Sequence, residues 1–428
     1  MSWWRVVYTG LLYVLIPFAL LRLMWRARRQ RGYLHYVGER FGHYRLRSDR
    51  PVIWLHAVSV GETRAAEPLV KALHKRWPEH QILLTHMTPT GRETSEQVFA
   101  DRVLRCYLPY DLPAAVERFL SHFRPYFGAL LETELWPNLI HACHVRSLPL
   151  FLVNARLSER SASGYARVGP FARETLQRLT AVAAQTQADA DRLSALGARN
   201  PVACGNLKFD RSPRQQDLEL AAHFRALYGE RPVFLAASTR DGEEVLVLDA
   251  IAQTAHPGLL SVIVPRHPQR FEGVARLLAE RDLSFQRRSD GKPVSPGTQV
   301  LLGDSMGELF AYYAACDVAF VGGSLLPLGG QNLLEASAAG KPVFVGPHMF
   351  NFEEATRLAL ESGAALQVRD KTELAAALAR LLSDEPTCRR MGEAGLELMR
   401  AHQGATQRIV TLIDRNVAGY PWVSPDIS

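Results

Sequence analysis

Short apolar runs alternate with helical patterns in two successive series along this chain, and that alternation constrains its fold more than any other feature. The first series is Val52–His56, Gln81–Thr85, Val103–Leu108, Phe127–Leu131, Leu148–Val153, Ala181–Gln185 and Val202–Gly205. The second is Val233–Ala237, Leu260–Val264, Gln299–Leu302, Asp317–Val321 and Pro342–Val345. Such runs belong to strands covered on both faces, and the intervening helices supply the cover. The chain therefore reads as α/β with two Rossmann-like domains. The polar stretch Asp210–Arg231 carries no clear strand pattern and marks a linker. This gives an N-terminal domain over 32–209, a linker over 210–230 and a C-terminal domain over 231–428 that ends in closing helices. A chain of 428 residues, 47% hydrophobic and 22% charged, is long enough for both.

Ahead of the first series, Val6 to Leu21 is apolar except for Thr9, with Trp3 and Trp4 before it, Trp25 after it, and arginines at 22, 26, 28, 29 and 31. As a helix this run covers about 24 Å against a hydrocarbon core of roughly 30 Å, so it reads either as a tilted span or as a deep interfacial anchor. A secretory signal is the competing reading. The arginines follow the apolar run and no small-x-small site succeeds it, which favours an uncleaved membrane anchor and basic neck over residues 1–31. The positive-inside rule then puts the arginines and the domain behind them on the cytoplasmic face.

A net charge of +7 and a pI near 9.2 call for an anionic partner. No basic patch with interleaved aromatics occurs in the body of the chain, so nucleic acid is not expected. The 5 cysteines are scattered without a C-x-x-C pair, and His141 and His144 have no evident third ligand, so neither a disulfide framework nor a metal site is expected.

Most of the candidate chemistry sits at the C-terminal ends of the apolar runs, where open α/β sheets bind ligands. After the run Asp317–Val321 come Gly322-Gly323-Ser324-Leu325 and then Gly329-Gly330-Gln331-Asn332-Leu333-Leu334-Glu335. Glycines let main-chain amides approach a ligand, and a helix beginning near Gln331 would aim its N-terminal N–H groups at a phosphate. A plain βαβ crossover with a glycine-rich loop is the alternative. Glu335, one turn in, is acidic and so not suited to the phosphate itself.

Behind the first run, Ser59, Gly61 and Glu62 form a strand-to-helix turn in which Glu62 is either a general base or a carboxylate complementing a helix start. Thr88, Thr90, Gly91 and Arg92 offer hydroxyls, a turn and a cation for an anionic group, or a cap. Glu132 and Glu134 are paired carboxylates, while Arg156 and Lys208 deliver one cation each to the same sheet edge. In the second series Arg266 and His267 stand between two prolines, and Met306, Gly307 and Glu308 begin a helix whose backbone groups are candidates to bind a base or ribose.

Taken together, His56-Ala57-Val58-Ser59-Val60-Gly61-Glu62, Thr88-Pro89-Thr90-Gly91, Glu132-Thr133-Glu134-Leu135-Trp136-Pro137, Asn154-Ala155-Arg156-Leu157-Ser158, Gly205-Asn206-Leu207-Lys208-Phe209-Asp210, Pro265-Arg266-His267-Pro268 and Val345-Gly346-Pro347-His348 resemble, in order and across nearly the whole chain, the 3-deoxy-D-manno-octulosonic acid (Kdo) transferases of Gram-negative bacteria. The resemblance implies a glycosyltransferase-B fold, two Rossmann-like domains facing across a cleft. It implies transfer of Kdo from CMP-Kdo, a substrate rather than a cofactor, to the 6′-hydroxyl of the lipid A precursor at the cytoplasmic face of the inner membrane. Under it Glu62 is the base, with Glu132 and Lys208 assisting. Arg266, His267, Met306, Gly307, Glu308, Asn332 and Glu335 hold CMP, with Leu333 and Leu334 in the same segment, and Ser59, Gly61, Thr88, Thr90, Gly91, Arg92 and Arg156 serve the acceptor. Gly330-Gln331-Asn332-Leu333 departs from the Gly-Gly-His-Asn-Pro pattern of the family, and Gln331 can donate a hydrogen bond there but carries no charge. A transferase using a UDP-sugar on a lipid is the alternative within the same fold, and a membrane-associated nucleotide sensor is the alternative from another class.

Overall fold

The computed structural model describes residues 3–28 and 31–418, so Arg29 of the expected basic neck lies outside the described residues. The chain forms two compact units, one from Met1–Arg211 with His402–Ser428 and one from Ser212–Ala401.

In the first unit, β1 (Val52–His56), β2 (Gln81–His86), β3 (Leu104–Tyr107), β4 (Phe127–Leu131), β5 (Leu150–Ala155), β6 (Ala181–Ala184) and β7 (Val202–Ala203) form a 7-stranded sheet in the order β3-β2-β1-β4-β5-β6-β7. Every pairing is parallel. Side chains alternate across the sheet, so Ile53 and Leu55 enter one core while Val52 and Trp54 enter the other. The Trp54 indole donates to Thr85 Oγ1 at 2.8 Å, and a Cβ on Gly128 would meet its ring at 2.4 Å. Glycine in the middle of β4 is therefore dictated by its neighbour on β1.

In the second unit, β8 (Val233–Thr239), β9 (Leu260–Pro265), β10 (Phe285–Arg287), β11 (Val300–Leu302), β12 (Val318–Val321), β13 (Val343–Val345) and β14 (Ala365–Gln367) repeat the plan in the order β10-β11-β9-β8-β12-β13-β14, again all parallel. The outer strands β10 and β14 are absent from the apolar runs of the sequence. Each has 3 residues, and β10 is only half-buried, so neither leaves a continuous apolar run.

The domain boundaries differ from those expected. The stretch taken as a linker contains a helix, Gln215–Tyr228, whose Ala221, Phe224 and Tyr228 are buried; Phe224 packs on Tyr312 with ring centroids 4.8 Å apart. That helix is part of the second unit. The last helix, Ala405–Val417, belongs instead to the first unit, where Ile409, Val410, Ile413 and Val417 join the core of Leu207 and Cys204. Asp210 fixes its start by accepting from Gly404 N–H at 2.7 Å and Thr406 N–H at 2.5 Å.

The N-terminal helix runs Trp3–Ala27, 25 residues, beyond both ends of the apolar run. It is long and apolar enough to cross a membrane by length and composition.

Candidate active site

In each sheet the strands that follow the central first strand lie to one side of it and the later ones to the other, so the order switches sides between β1 and β4 in the first unit and between β8 and β12 in the second. Loops leaving the C-terminal ends of the two central strands diverge there and open a crevice, the usual ligand site of such sheets.

In the first unit the crevice carries Glu62 behind β1 and Glu132 behind β4. Ser59 caps the helix Val60–Ala65, its side chain accepting from Glu62 N–H. The Glu62 carboxylate folds back to accept from Val58 N–H at 2.7 Å and Ser59 O–H at 2.7 Å. The carboxylate thus closes the start of the helix from the other side, through the N–H ahead of the cap and the hydroxyl of the cap itself. The carboxylate is nonetheless buried, at 7% exposure, and burial with the charge of Glu132 pushes its pKa up to about 7 against the pull of those hydrogen bonds. The hydrogen bonds orient the carboxylate and burial raises its pKa.

Glu132 sits at φ 57°, in the left-handed region, with its N–H donated to Val153 O. Lys208 Nζ lies 3.9 Å from its carboxylate. Lys208 is placed by Asn206, whose side chain accepts from Lys208 N–H at 3.0 Å, and by Asn154, which accepts from Leu207 N–H at 3.0 Å. The main-chain carbonyl of Arg156 accepts from the Thr133 hydroxyl, joining the loops behind β4 and β5. Glu134 is also pushed up, by burial first and by Glu132 second.

The loop behind β2 is tied to the one behind β1. Thr88 donates its hydroxyl to Val58 O at 3.2 Å and accepts from Gly91 N–H at 3.1 Å, and Thr90 donates to Thr88 at 3.4 Å. Arg92 pairs with Glu39 at 2.6 Å and covers the Tyr36 ring at 4.0 Å. It therefore reaches an acceptor only in addition to these contacts. Two histidines beneath these loops, His56 and His86, are fully buried, and burial brings their pKa values down to about 3 and 4. They are neutral fixtures of the site floor.

The second unit departs from the sequence reading at its glycine-rich loop. The N–H groups of Gly323, Ser324 and Leu325 all donate to one carboxylate, Glu243, at 2.5, 3.0 and 3.0 Å. The loop does cradle an anion, but the anion is the protein's own. Glu243 is fully buried, so burial pushes its pKa up while these N–H groups and that of Arg240 pull it back. The helix behind the loop begins at Leu334 rather than near Gln331, because Gly329 and Gly330 hold φ of 91° and 70° and Leu333 is its cap. Leu333 and Leu334 are buried, and the Leu334 N–H is donated to Asn332 Oδ1 at 3.2 Å.

Behind β9, Arg266 donates to Gln331 Oε1 at 3.2 Å, so the residue that departs from the family pattern orients a guanidinium. His267 is held below its ordinary value by partial burial and by the charges of Arg266 and Arg240. Arg240 also lies against Gly323, where a Cβ would stand 3.4 Å from its Cγ. Glu308 pairs with Arg288 at 3.2 Å, and Met306 is exposed. Arg240 and Glu243 are absent from the residues singled out in the sequence. Their signal was there in Thr239-Arg240-Asp241-Gly242-Glu243-Glu244, a strand end with a cation, a glycine and adjacent acids.

Two parallel α/β units, each with a polar crevice at its switch point, define the architecture of a glycosyltransferase-B enzyme, and residues 246–398 match the family described as glycosyl transferases group 1. A UDP-GlcNAc 2-epimerase from Neisseria meningitidis shares the fold, with a TM-score of 0.61 over 85% of this chain and 100% of that one at 16% identity. Residues 35–211 match the family described as 3-deoxy-D-manno-octulosonic-acid transferase (kdotransferase). The 3-deoxy-D-manno-octulosonic acid transferase of Bordetella pertussis is 43% identical over 96% of this chain and 99% of its own length. That of Haemophilus influenzae is 38% identical over 97% and 100%. The chain belongs to the 3-deoxy-D-manno-octulosonic acid transferase family.

Proposed function

We propose that this Kdo transferase takes Kdo from CMP-Kdo and delivers it to the 6′-hydroxyl of the distal glucosamine of the lipid A precursor, with inversion and with Glu62 as general base. The observation that carries the reading is the Glu62 carboxylate, buried at the switch point of the first sheet and titrating near 7 beside Glu132. A hydroxyl is a weak nucleophile, and a base whose pKa matches the working pH is the effective one to take its proton. Lys208, across from Glu132, offsets negative charge as the bond to the leaving phosphate breaks.

The second unit holds the donor through Arg266, His267, Met306, Gly307, Glu308, Asn332 and Glu335. Leu333 and Leu334 contribute main chain only, since their side chains are buried. Glu243 fixes the glycine-rich loop, and Arg240 joins Arg266 in facing the phosphate. In the first unit Ser59, Gly61, Thr88, Thr90, Gly91, Arg92 and Arg156 line the acceptor side. A phosphorylated lipid acceptor fits the net charge of +7, and the enzyme works at the cytoplasmic face of the inner membrane, held there by the helix Trp3–Ala27.

Product analysis with purified enzyme tests this directly. CMP-Kdo and lipid A precursor should give a Kdo-bearing lipid and CMP. Turnover with a UDP-sugar in place of CMP-Kdo, or none with the lipid, overturns it.

A further inference from the structure

The helix Trp3–Ala27 is amphipathic in the folded chain in a way its composition hides. Arg5 is buried, Tyr8, Thr9, Leu12, Ile16 and Ala19 are partly covered, and Leu23 and Ala27 are buried. These positions recur at helical spacing from the first turn to the last, so they mark one face of the helix as the covered one. Its opening turns are held by polar contacts. The Tyr8 hydroxyl donates to Asp111 Oδ2 at 3.0 Å, and the side chains of Thr9 and Asn138 exchange hydrogen bonds at 3.0 and 3.2 Å. The Tyr8 ring packs on Phe171 with centroids 5.5 Å apart. Asp111 is itself buried and tied by the N–H groups of Asn138 and Leu139, so this end of the helix docks on the ordered body of the unit.

The opposite face carries Trp4, Leu11, Val14, Phe18, Leu21 and Trp25, all exposed and at intervals of three, four or seven residues. Arg22 and Arg28 are also exposed, near its C-terminal end. One face is thus committed to protein and the other is a continuous apolar stripe with tryptophan at each end.

We propose that this helix does not cross the bilayer but lies in the plane of its cytoplasmic interface, with its exposed apolar stripe in the acyl region and its covered face toward the first unit. A spanning helix would carry its first turns to the far side of the membrane, away from Asp111, Asn138 and Phe171, which belong to the same unit as Glu62. Crossing would break the Tyr8 and Thr9 contacts and leave the buried Asp111 and Asn138 without them. Lying flat keeps those contacts and still buries the stripe, with the aromatic ends at headgroup depth. The end of the helix leads into Arg31–Leu34, where a Cβ on Gly32 would meet Pro89 at 3.1 Å. Pro89 opens the helix behind Thr88, so the lipid surface is brought beside the loop assigned to the acceptor.

The inference rests on the proposed membrane association, and two measurements on the full-length chain test the two separately. A protease-cleavable epitope fused ahead of Met1 is probed in sealed membrane vesicles of both orientations. It should be cut in the orientation in which the body of the enzyme is cut, and protected in the other. Cleavage of the epitope only in the opposite orientation overturns the in-plane placement while leaving membrane association intact; recovery of the protein without membranes overturns the association itself. In the second measurement, Thr9→Cys with Asn138→Cys is oxidised in membranes and then alkylated under denaturing conditions. Loss of both introduced thiols to alkylation is expected, with each single variant fully alkylated. Full alkylation of the double variant, in membranes that retain transferase activity, overturns the docked geometry.

Discussion

Lys208 Nζ stands 3.9 Å from the carboxylate of Glu132, and Glu132 is the charge that acts most strongly on Glu62. The first cation therefore moderates the second group's effect on the base. If Glu62 acts as proposed it must be ionised to accept the proton, so the acid limb of kcat/KM should rise with pH through about 7. Replacing Glu132 with Gln removes a like charge and should move that limb to lower pH. Replacing Lys208 with Met leaves Glu132 unopposed and should move it to higher pH. Shifts in the same direction for both variants would separate these residues from the titration of Glu62.

Glu62→Gln keeps the size of the side chain but removes the carboxylate that the proposed mechanism uses as its base. Turnover should fall by about 10² to 10⁴-fold with nucleotide affinity unchanged, checked by steady-state rates and CMP titration. The same variant has a signature in stability. The pKa of Glu62 is higher in the folded chain than its ordinary 4.5, so the folded state binds the proton more tightly and stability declines as pH rises between 4.5 and about 7. In the Gln variant this part of the decline should vanish, which melting curves across that window will read.

Glu243→Gln should be felt in the second unit alone. An amide offers one oxygen where the carboxylate offered two, and its NH2 group faces the N–H of Gly323 or those of Ser324 and Leu325. A cost of about 1–3 kcal/mol follows from leaving such groups unmatched. Chemical denaturation should show that loss, and CMP titration should show weaker binding because the loop is no longer fixed.

Gly346→Ala tests how tightly the same loop is packed. A Cβ there would fall 2.2 Å from the main chain of Ser324, whose hydroxyl accepts from Gly346 N–H at 2.8 Å. Overpacking of this kind should destabilise by about 1–3 kcal/mol. Gly164→Ala, in the helix Glu159–Arg167 with nothing within 4 Å of its Cβ, should be neutral or stabilising by up to about 1 kcal/mol. Denaturation midpoints of the pair check the contrast.

The central strands were legible because burial on both faces writes itself as an unbroken apolar run, as in Val52–His56 and Val318–Val321. The edge strands Phe285–Arg287 and Ala365–Gln367 were not, since short edge strands need no such run. The closing helices were legible as helices, but not that Ile409, Val410 and Ile413 of the last one are received by the first sheet. The same limit applies to the glycine-rich loop. Its composition shows that main-chain amides converge on an anion, while the partner, Glu243, is 80 positions away from Gly323 in the sequence. The position of Glu62 and Glu132 at strand ends was legible because the C-terminal edge of a parallel sheet is a place that sequence alone can mark.

The return of Ala405–Val417 to the first unit sets the order in which this protein can be completed. Synthesis runs from the N-terminus, so Leu207 and Cys204 leave the ribosome long before Ile409 and Ile413, which cover them. At about 5–20 residues per second, making Ser212–Ala401 takes roughly 10–40 s, and through that interval the first core has an open side. Folding of the two units is thereby nested: the second is finished inside the assembly of the first. A chain ending at Ala401 would hold that unfinished state permanently, with an apolar face and the Asp210 carboxylate both waiting for a helix that never arrives.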